Sequence, residues 1–284
     1  MNANAIAGVA LPKSSPGPAR IRWLASDAWV LAKRQFAHIR QIPEKLFDVT
    51  LQPIMFVLLF AYVFGGVIHV PGGGDYHEYL IGGILVQTLV FGLMGPGTSM
   101  ATDLGEGIID RFSSLPMSRP AFLIGHLTAE FAATCLAITI MVISGLIVGW
   151  GISSSLIEAV AGFGLLMLLA ITMIWVGTLI GVLVRSADAV QGIAFVTVFP
   201  LTFVANTFVP VGGLPEGLRQ VAEYNPVSAW AAAVRTMFGN PTAIPSGAAW
   251  PLEHSVVAGL IWCVAILAAV VPLTVRAYRR RTTG

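Results

Sequence analysis

Charged side chains are scarce in this chain, but five of them lie between two long apolar stretches, in residues 103–119. One Asp, Lys or Arg at the centre of a bilayer costs roughly 2.5–3.5 kcal/mol, so this segment is expected to lie in water. Apolar residues within it recur at helical spacing opposite much of the charge, and Pro116 ends the pattern. The segment therefore predicts a short amphipathic helix between two membrane spans. Its charged residues are Asp103, Glu106, Asp110, Arg111 and Arg119.

Glu130 is the one ionisable residue expected inside a predicted membrane span, near the start of the third span and one helical turn after His126. A carboxylate inside a membrane can bind a cationic substrate or take part in proton movement. Glu130 also lies only about three helical turns past Arg119, so it can instead face the membrane interface or a neighbouring helix. Both interpretations remain open at this point.

Metal and nucleotide sites are disfavoured. The potential metal ligands His69, Asp75, His77 and Glu78 surround three consecutive glycines, whereas metal sites need ligands on a rigid element. A phosphate-binding loop needs Gly-Lys-Ser or Gly-Lys-Thr, and the three lysines of the chain follow Pro, Ala and Glu. We therefore expect no metal, no cofactor and no ATP hydrolysis by such a loop in this chain.

The composition indicates that the residues discussed above are held by membrane-spanning helices. Hydrophobic residues make up 56% of the 284-residue chain and charged residues 11%, which is typical of a polytopic membrane protein and unlike a soluble enzyme. We predict an all-α fold with six transmembrane helices. The second is expected to kink near Pro96. The pair Gly145 and Gly149 and the pair Gly177 and Gly181 each have the spacing of close helix packing. The spans are predicted at about residues 50–68, 78–101, 122–150, 156–184, 189–209 and 255–275.

The region before the first span divides in two. Residues 1–25 are rich in Ala, Ser, Pro and Gly and predict a disordered tail, and one transmembrane domain is expected to occupy 26–284. Over residues 26–43, aromatic and cationic side chains occupy different faces, as in a helix that lies on a membrane surface. A soluble packing helix is the alternative. The residues of the predicted interfacial helix are Trp29, Lys33, Arg34, Phe36 and Arg40.

The connection between the fifth and sixth spans is too long for a simple turn. Residues 214–238 predict two short helices separated by Asn225 and Pro226. The second helix is short and weakly apolar, so we expect it to dip into the outer interface or to re-enter the membrane.

Six spans place both termini on one side of the membrane. Every basic residue except Arg219 and Arg235 then falls on that side, and the positive-inside rule assigns it to the cytoplasm. The chain is therefore expected to be a multi-pass protein of the cell membrane with cytoplasmic termini. The segment at 103–119 is then cytoplasmic, and the helices at 214–238 are external.

Four stretches carry a family resemblance in their order along the chain. They are the amphipathic helix, FDVTLQPIMFVLLFAYVFGG at 47–66, GIIDRFSSLPMSRP at 107–120 and NPVS at 225–228. Together they resemble the ABC-2-type permeases, most closely the daunorubicin-resistance branch of drug exporters. The likeness extends from about residue 25 to the end of the chain.

The resemblance implies a six-helix membrane subunit that pairs with a second permease, identical or different, and with two copies of a separate ATP-binding subunit. ATP and Mg²⁺ then belong to that partner. The family's coupling helix maps onto 103–115, its interfacial helix onto 26–41 and its re-entrant helices onto 214–238. The charged residues of the coupling helix would fix its position along a groove of the ATPase, and its apolar residues would pack into that groove. The coupling residues are Asp103, Leu104, Glu106, Ile108, Asp110, Arg111 and Phe112.

The mechanism expected from the resemblance is export driven by ATP. Closure of the ATPase subunits would push the coupling helix, tilt the second to fifth spans and expose an apolar cavity to the outside. Such a cavity suits a hydrophobic or amphipathic drug, antibiotic or lipid, and membrane lipids but no nucleic acid are expected as other partners. The alternatives are export of a lipid-linked glycan, an ion-coupled secondary transporter that uses Glu130, and a charged segment that is merely solvated.

Overall fold

In the computed structural model of the protein, the described residues are 51, 54, 55, 57–64, 70, 71, 73–107 and 119–283. The predicted disordered tail at 1–25 and interfacial helix at 26–43 lie outside these residues. Only short pieces of the first span at 50–68 are described, including a π-helical turn at Phe60–Phe64. Residues 108–118, between the second and third spans, also lie outside the described part.

Every regular element in the described part of the chain is helical, which confirms the all-α class for these residues. A 3-10 turn, Val211–Gly213, precedes the first helix of the 214–238 segment. In chain order the α-helices are α1 (Tyr76–Phe91), α2 (Met94–Gly105), α3 (Arg119–Ile147), α4 (Leu156–Leu183), α5 (Ala187–Phe203), α6 (Glu216–Tyr224), α7 (Pro226–Phe238), α8 (Trp250–Glu253) and α9 (Ser255–Thr283).

Four stretches of the described residues are long and apolar enough to cross a membrane. They are Tyr76–Gly105, which comprises α1 and α2, Phe122–Ile147 in α3, Leu156–Leu183, which is α4, and Ser255–Arg281 in α9. Helix α5 is apolar but shorter. Because the first span is described only in pieces, the number of six spans stays a prediction.

Successive spans run in opposite directions, so the connections lie at two ends of the bundle. We call them the Asp75 end, where α1, α4 and α9 begin, and the Asp103 end, where α2, α4 and α9 finish. At the Asp75 end the backbone N–H of Ser153 donates to the carbonyl of Phe238 over 2.9 Å. At the Asp103 end Arg281 Nη1 donates to the carbonyl of Val182 over 2.8 Å.

Helix α4 lies at the centre of the bundle. It is apolar on all sides, packs against α1, α2, α3, α7 and α9, and is exposed mainly in its first turns. Ser155 caps its start by accepting a hydrogen bond from the backbone N–H of Glu158. The carboxylate of Glu158 in turn accepts a hydrogen bond from the backbone N–H of Ser155, which completes a capping box. Helices α3 and α9 are less enclosed, and few of their residues are buried, as expected of helices that face lipid.

The second span is interrupted earlier than the predicted kink at Pro96. Helix α1 ends at Phe91, and α2 begins at Met94 after a turn at Gly92 and Leu93. Pro96 has no N–H to donate to the residue four positions before it, Gly92, and its ring clashes with that carbonyl in a regular helix. The interruption therefore falls one turn before the proline, which occupies the first turn of α2, where it is tolerated.

Helix α5 ends at Phe203 and not at the predicted residue 209. Side chains from the start of α7 take over the backbone groups at its end. Asn225 Nδ2 donates to the carbonyls of Leu201 and Val204 over 2.6 and 2.8 Å. Ser228 Oγ accepts from the N–H of Asn206 over 3.1 Å. The 17 residues of α5 span about 26 Å at 1.5 Å each, short of a hydrocarbon core of roughly 30 Å.

Gly177 and Gly181 of α4 bring the backbone of α2 into direct contact. A methyl group on Gly177 would overlap the carbonyl oxygen of Leu93, and one on Gly181 would overlap that of Gly97. The small-residue spacing thus serves a contact between two helices of this chain. Because no side chain separates the two backbones, α2 and α4 are expected to move as one unit.

The substitution Gly177→Ala is expected to destabilise the protein by about 1–3 kcal/mol, the usual cost of overpacking. The matched control is Gly164→Ala on the same helix, because a methyl group there meets no atom within 4 Å. Thermal unfolding in detergent compares the two variants. Equal melting temperatures would show that the contact between α2 and α4 is not as close as described.

Candidate functional site

Helix α7, the second helix of the predicted external segment, lies inside the bundle. It packs against α1, α4 and α9, and its side chains from Val227 to Arg235 are all buried. Alanines make up much of this stretch and let the neighbouring helices approach closely. The indole Nε1 of Trp230 donates to the carbonyl of Gly259 in α9 over 3.0 Å. Helix α7 is therefore an interior element of the bundle.

Asn225 and Pro226, the predicted break, lie at the turn between α6 and α7. Asn225 Oδ1 accepts a hydrogen bond from the N–H of Val227 over 2.9 Å and so caps α7. Pro226 occupies the first position of α7, where its missing N–H costs nothing. Because the amide nitrogen of Asn225 also holds the end of α5, this turn joins α5, α6 and α7.

Arg235 of α7 has a fully buried side chain. Its Nε donates to the carbonyl of Tyr79 in α1 over 2.7 Å. Its Nη2 donates to the carbonyl of Thr207, in the connection after α5, over 2.9 Å. The guanidinium carbon lies 3.6 Å from the centre of the Tyr79 ring, which is a cation–π contact. We call these three residues the Arg235 junction.

The charge of Arg235 is not paired with a carboxylate of any residue that the structure describes. Its Nη1 also finds no hydrogen-bond acceptor among those residues. Removing a charge from water costs several kcal/mol even after relaxation. Hydrogen bonds to a charged group return about 1.5–3 kcal/mol each, and a desolvated cation–π contact about 2 kcal/mol. The junction is therefore stable only while both carbonyls and the ring stay in place.

Two glycines of α1 make room for Arg235. A Cβ atom on Gly82 would lie 2.7 Å from Arg235 Cγ, and one on Gly83 would lie 2.6 Å from Arg235 Nη2. A larger residue at Gly82 would displace the Arg235 side chain, and one at Gly83 would collide first with the carbonyl oxygen of Thr207. The glycine pair in the second span thus has a specific structural role.

Sequence reasoning missed the Arg235 junction. It counted Arg235 as an external basic residue, which the positive-inside rule treats as solvated. The signal that could have found it is a single arginine in the alanine-rich stretch AWAAAVR, together with a glycine pair in an otherwise apolar span. A charge inside an apolar helix is a functional candidate because its burial is costly.

Glu130, on α3, lies beside the start of α2. A Cβ atom on Gly95 would lie 3.5 Å from Glu130 Oε2. Leu93, which precedes α2, offers no side-chain cap, and a carboxylate near the N-terminus of a helix is electrostatically favourable. This placement supports the interpretation in which Glu130 faces a neighbouring helix.

The coupling residues are described only in part. Asp103 and Leu104 are half-buried in the last turn of α2, and Glu106 is exposed just after it. Leu104 packs within this chain, against a cluster that includes Met100 of α2 and Tyr278 of α9. The remaining coupling residues and all those of the interfacial helix lie outside the described part. They are Ile108, Asp110, Arg111, Phe112, Trp29, Lys33, Arg34, Phe36 and Arg40.

Asp75 and His77 stand at the start of α1. Asp75 Oδ1 accepts hydrogen bonds from the N–H of His77 over 3.0 Å and from its Nδ1 over 2.8 Å. These hydrogen bonds from His77 hold the pKa of Asp75 below its ordinary value. No three potential metal ligands come together among the described residues, and His69 lies outside them. The role that the structure gives to Asp75 is that of a helix cap.

The substitution Arg235→Lys is expected to destabilise the protein by about 3 kcal/mol or more, because a buried charge loses part of its hydrogen bonding. A lysine ammonium cannot reproduce the planar fork that reaches two carbonyls. The control is Arg219→Lys on α6, where the arginine is half-exposed and its pair with the buried Glu223 keeps its charge, so a smaller loss of about 1 kcal/mol is expected. Thermal unfolding of both variants measures the difference, and similar losses would contradict the junction.

Comparison with known proteins identifies the chain at the level of its family. The family model described as ABC-2 type transporter matches residues 26–238. The daunorubicin resistance ABC transporter permease protein DrrB1 of Streptomyces coeruleorubidus is 28% identical over 266 residues, which cover 93% of this chain and 89% of that protein. The doxorubicin resistance ABC transporter permease protein DrrB of Mycobacterium tuberculosis is 23% identical over 248 residues, 84% and 85% of the two chains.

The family match covers α1 to α7 and therefore includes the Arg235 junction and the contact between α2 and α4. It confirms the resemblance predicted from the four sequence stretches. This chain is a multi-pass membrane protein and belongs to the ABC-2 type transporter family.

Proposed function

We propose that this chain is the membrane subunit of an exporter in which a separate subunit binds Mg²⁺ and ATP and hydrolyses the nucleotide. The match to the ABC-2 type transporter family over residues 26–238 carries the proposal. Similarity over most of the chain to permeases named for daunorubicin and doxorubicin resistance adds to it. The working complex would contain two copies of the ATP-binding subunit and two permeases, identical or different.

The Asp103 end is the cytoplasmic end in this proposal. Arg185, Arg276 and residues 279–281 lie at this end, whereas Arg219 lies at the other. This distribution supports the orientation because basic residues accumulate in cytoplasmic connections. With six spans, both termini are cytoplasmic. The coupling segment that follows α2 then faces the ATP-binding subunit.

Motion would pass from the coupling segment into α2. Because Gly177 and Gly181 bring α2 and α4 into backbone contact, displacement of α2 would carry α4 with it. The interruption at Gly92 and Leu93 lets α2 tilt without bending α1. The Arg235 junction would meanwhile keep α1, α7 and the end of α5 together at the Asp75 end.

The substrate in this proposal is a hydrophobic or amphipathic drug or lipid. Helix α5 presents a partly exposed row of stacked phenylalanines, Phe195, Phe199 and Phe203. Their ring centroids are 5.1 and 4.2 Å apart in succession. Such a row favours planar aromatic molecules, which stack on aromatic rings. It supports a drug over a lipid-linked glycan, whose sugars are polar.

The test of the function is ATP turnover after coexpression with the ATP-binding subunit encoded nearest to this chain. The two proteins are expected to purify together. Turnover in lipid nanodiscs is expected to change when a planar aromatic drug is added, because substrate binding and ATP hydrolysis are coupled. Phospholipid alone, added at the same concentration, is the comparison. A chain that recruits no ATPase and transports by itself would contradict the proposal.

The substitution Glu130→Gln is expected to leave transport within about twofold of wild type, because glutamine keeps the size of the side chain and loses only a helix-terminus interaction of about 0.3–1 kcal/mol. Transport into inside-out vesicles measures it. The control is Glu158→Gln, which changes the same charge at the Asp75 end. Loss of transport with Glu130→Gln alone would favour the ion-coupled alternative.

A further inference from the structure

The C-terminal arginines continue a helix. Helix α9 extends through the basic residues to Thr283, eight residues beyond the predicted end of the last span at residue 275. Arg281 Nη1 donates to the carbonyls of Val182 and Val184, each over 2.8 Å. These carbonyls lie at the end of α4, where a helix has no N–H groups of its own left to pair with them. A cation at this position also complements the helix dipole.

Tyr278 lies on the same face of α9, three residues before Arg281. Its side chain is buried in a cluster with Met100 of α2, Leu123 of α3 and Val182 of α4. Leu104, in the last turn of α2, packs against the same cluster. The end of α9 is thus hydrogen-bonded to the end of α4 and shares one apolar cluster with the end of α2 and the start of α3.

These three helix ends flank the connections at the Asp103 end. The coupling segment runs from the end of α2 to the start of α3, and the connection from α4 to α5 is only residues 184–186. The coupling segment is attached to the end of α2 and the start of α3. A displacement of this segment moves α4 only if these two helix ends keep their positions relative to the end of α4. Tyr278 helps to hold these positions through the apolar cluster, which Val275 and Ala277 of α9 also pack against, and Arg281 contributes through the carbonyls of α4.

We propose that Arg281 and Tyr278 are positioning residues that couple ATP hydrolysis to transport, by locking the end of α9 onto the ends of α2 and α4. This inference rests on the proposed function. It assigns to the last turns of α9 a role beyond that of a basic membrane anchor. Neither residue touches substrate or nucleotide in this role.

The neighbouring Arg280 supplies a matched control. Arg280 and Arg281 are both exposed and carry the same charge, and it is Arg281 that donates to the carbonyls of Val182 and Val184. If the basic tail acted only by attracting anionic lipid headgroups, the two arginines would contribute alike, because that attraction depends on charge near the surface. If Arg281 acts through the carbonyls of α4, the two substitutions differ.

The experiment measures substrate transported per ATP hydrolysed, with the complex of this chain and its ATPase in proteoliposomes. Arg281→Ala is expected to lower that ratio roughly fivefold or more, the low end of typical coupling between sites. Arg280→Ala is expected to leave it near the wild-type value. Arg281→Lys is expected to restore part of it, because an ammonium can still donate to a carbonyl. A merely structural defect would lower the yield of complex without changing the ratio.

Two results would overturn the inference in distinguishable ways. Suppose that the wild-type complex is coupled and that the Arg281→Ala and Arg280→Ala complexes transport the same amount of substrate per ATP hydrolysed. This result would contradict the positioning role and leave the proposed function intact. A wild-type complex with no ATP-dependent transport would contradict the proposed function and, with it, the role assigned to Arg281.

Discussion

A buried guanidinium that meets no carboxylate among the described residues must be held by neutral groups, and this requirement governs the Asp75 end of the bundle. Arg235 uses the carbonyls of Tyr79 and Thr207 and the ring of Tyr79. The Arg235 side chain reaches α1 only because glycines, Gly82 and Gly83, lie one turn after Tyr79. It reaches the carbonyl of Thr207 only because α5 ends at Phe203, which leaves that carbonyl outside a helix. Asn225 secures that early end by binding the last carbonyls of α5. The glycine pair, the short α5 and the buried α7 therefore follow from one interaction.

The Asp103 end is held by contacts of a different kind. Here α2 and α4 meet through bare backbone at Gly177 and Gly181, and Arg281 of α9 binds the end of α4. Between the two ends, the interruption at Gly92 and Leu93 separates α1 from α2. The bundle thus has one unit pinned by Arg235 and another joined by glycine contacts, with an irregular turn between them. In an exporter driven from the Asp103 end, this division would let one unit move while the other stays fixed.

Apolar runs predicted the described spans because a membrane helix requires about 20 apolar residues and few charges. The Asn225–Pro226 turn and the glycine spacing of α4 were also visible in the sequence, since caps and small-residue contacts have local signatures. The Arg235 junction was not predictable in this way. Its partner Tyr79 lies 156 residues away in the sequence. In addition, the positive-inside rule counts the basic residues between spans and does not distinguish a solvated arginine from a buried one. Likewise, α5 ends early because of a side chain 24 residues further on. Of the predicted coupling residues, Leu104 packs within this chain, whereas those at 108–112 lie outside the described part, so their role stays a prediction.

The division of the bundle into two units is the central claim, and hydrogen exchange in lipid nanodiscs tests it most directly. The complex with its ATP-binding subunit would be compared with and without a non-hydrolysable ATP analogue. We expect the amides around Gly92 and Leu93 and along α2 to change their exchange rates. The amides near Tyr79 and along α7 should stay protected in both states. A nucleotide-dependent loss of protection in α7, or no change around Gly92, would contradict the account.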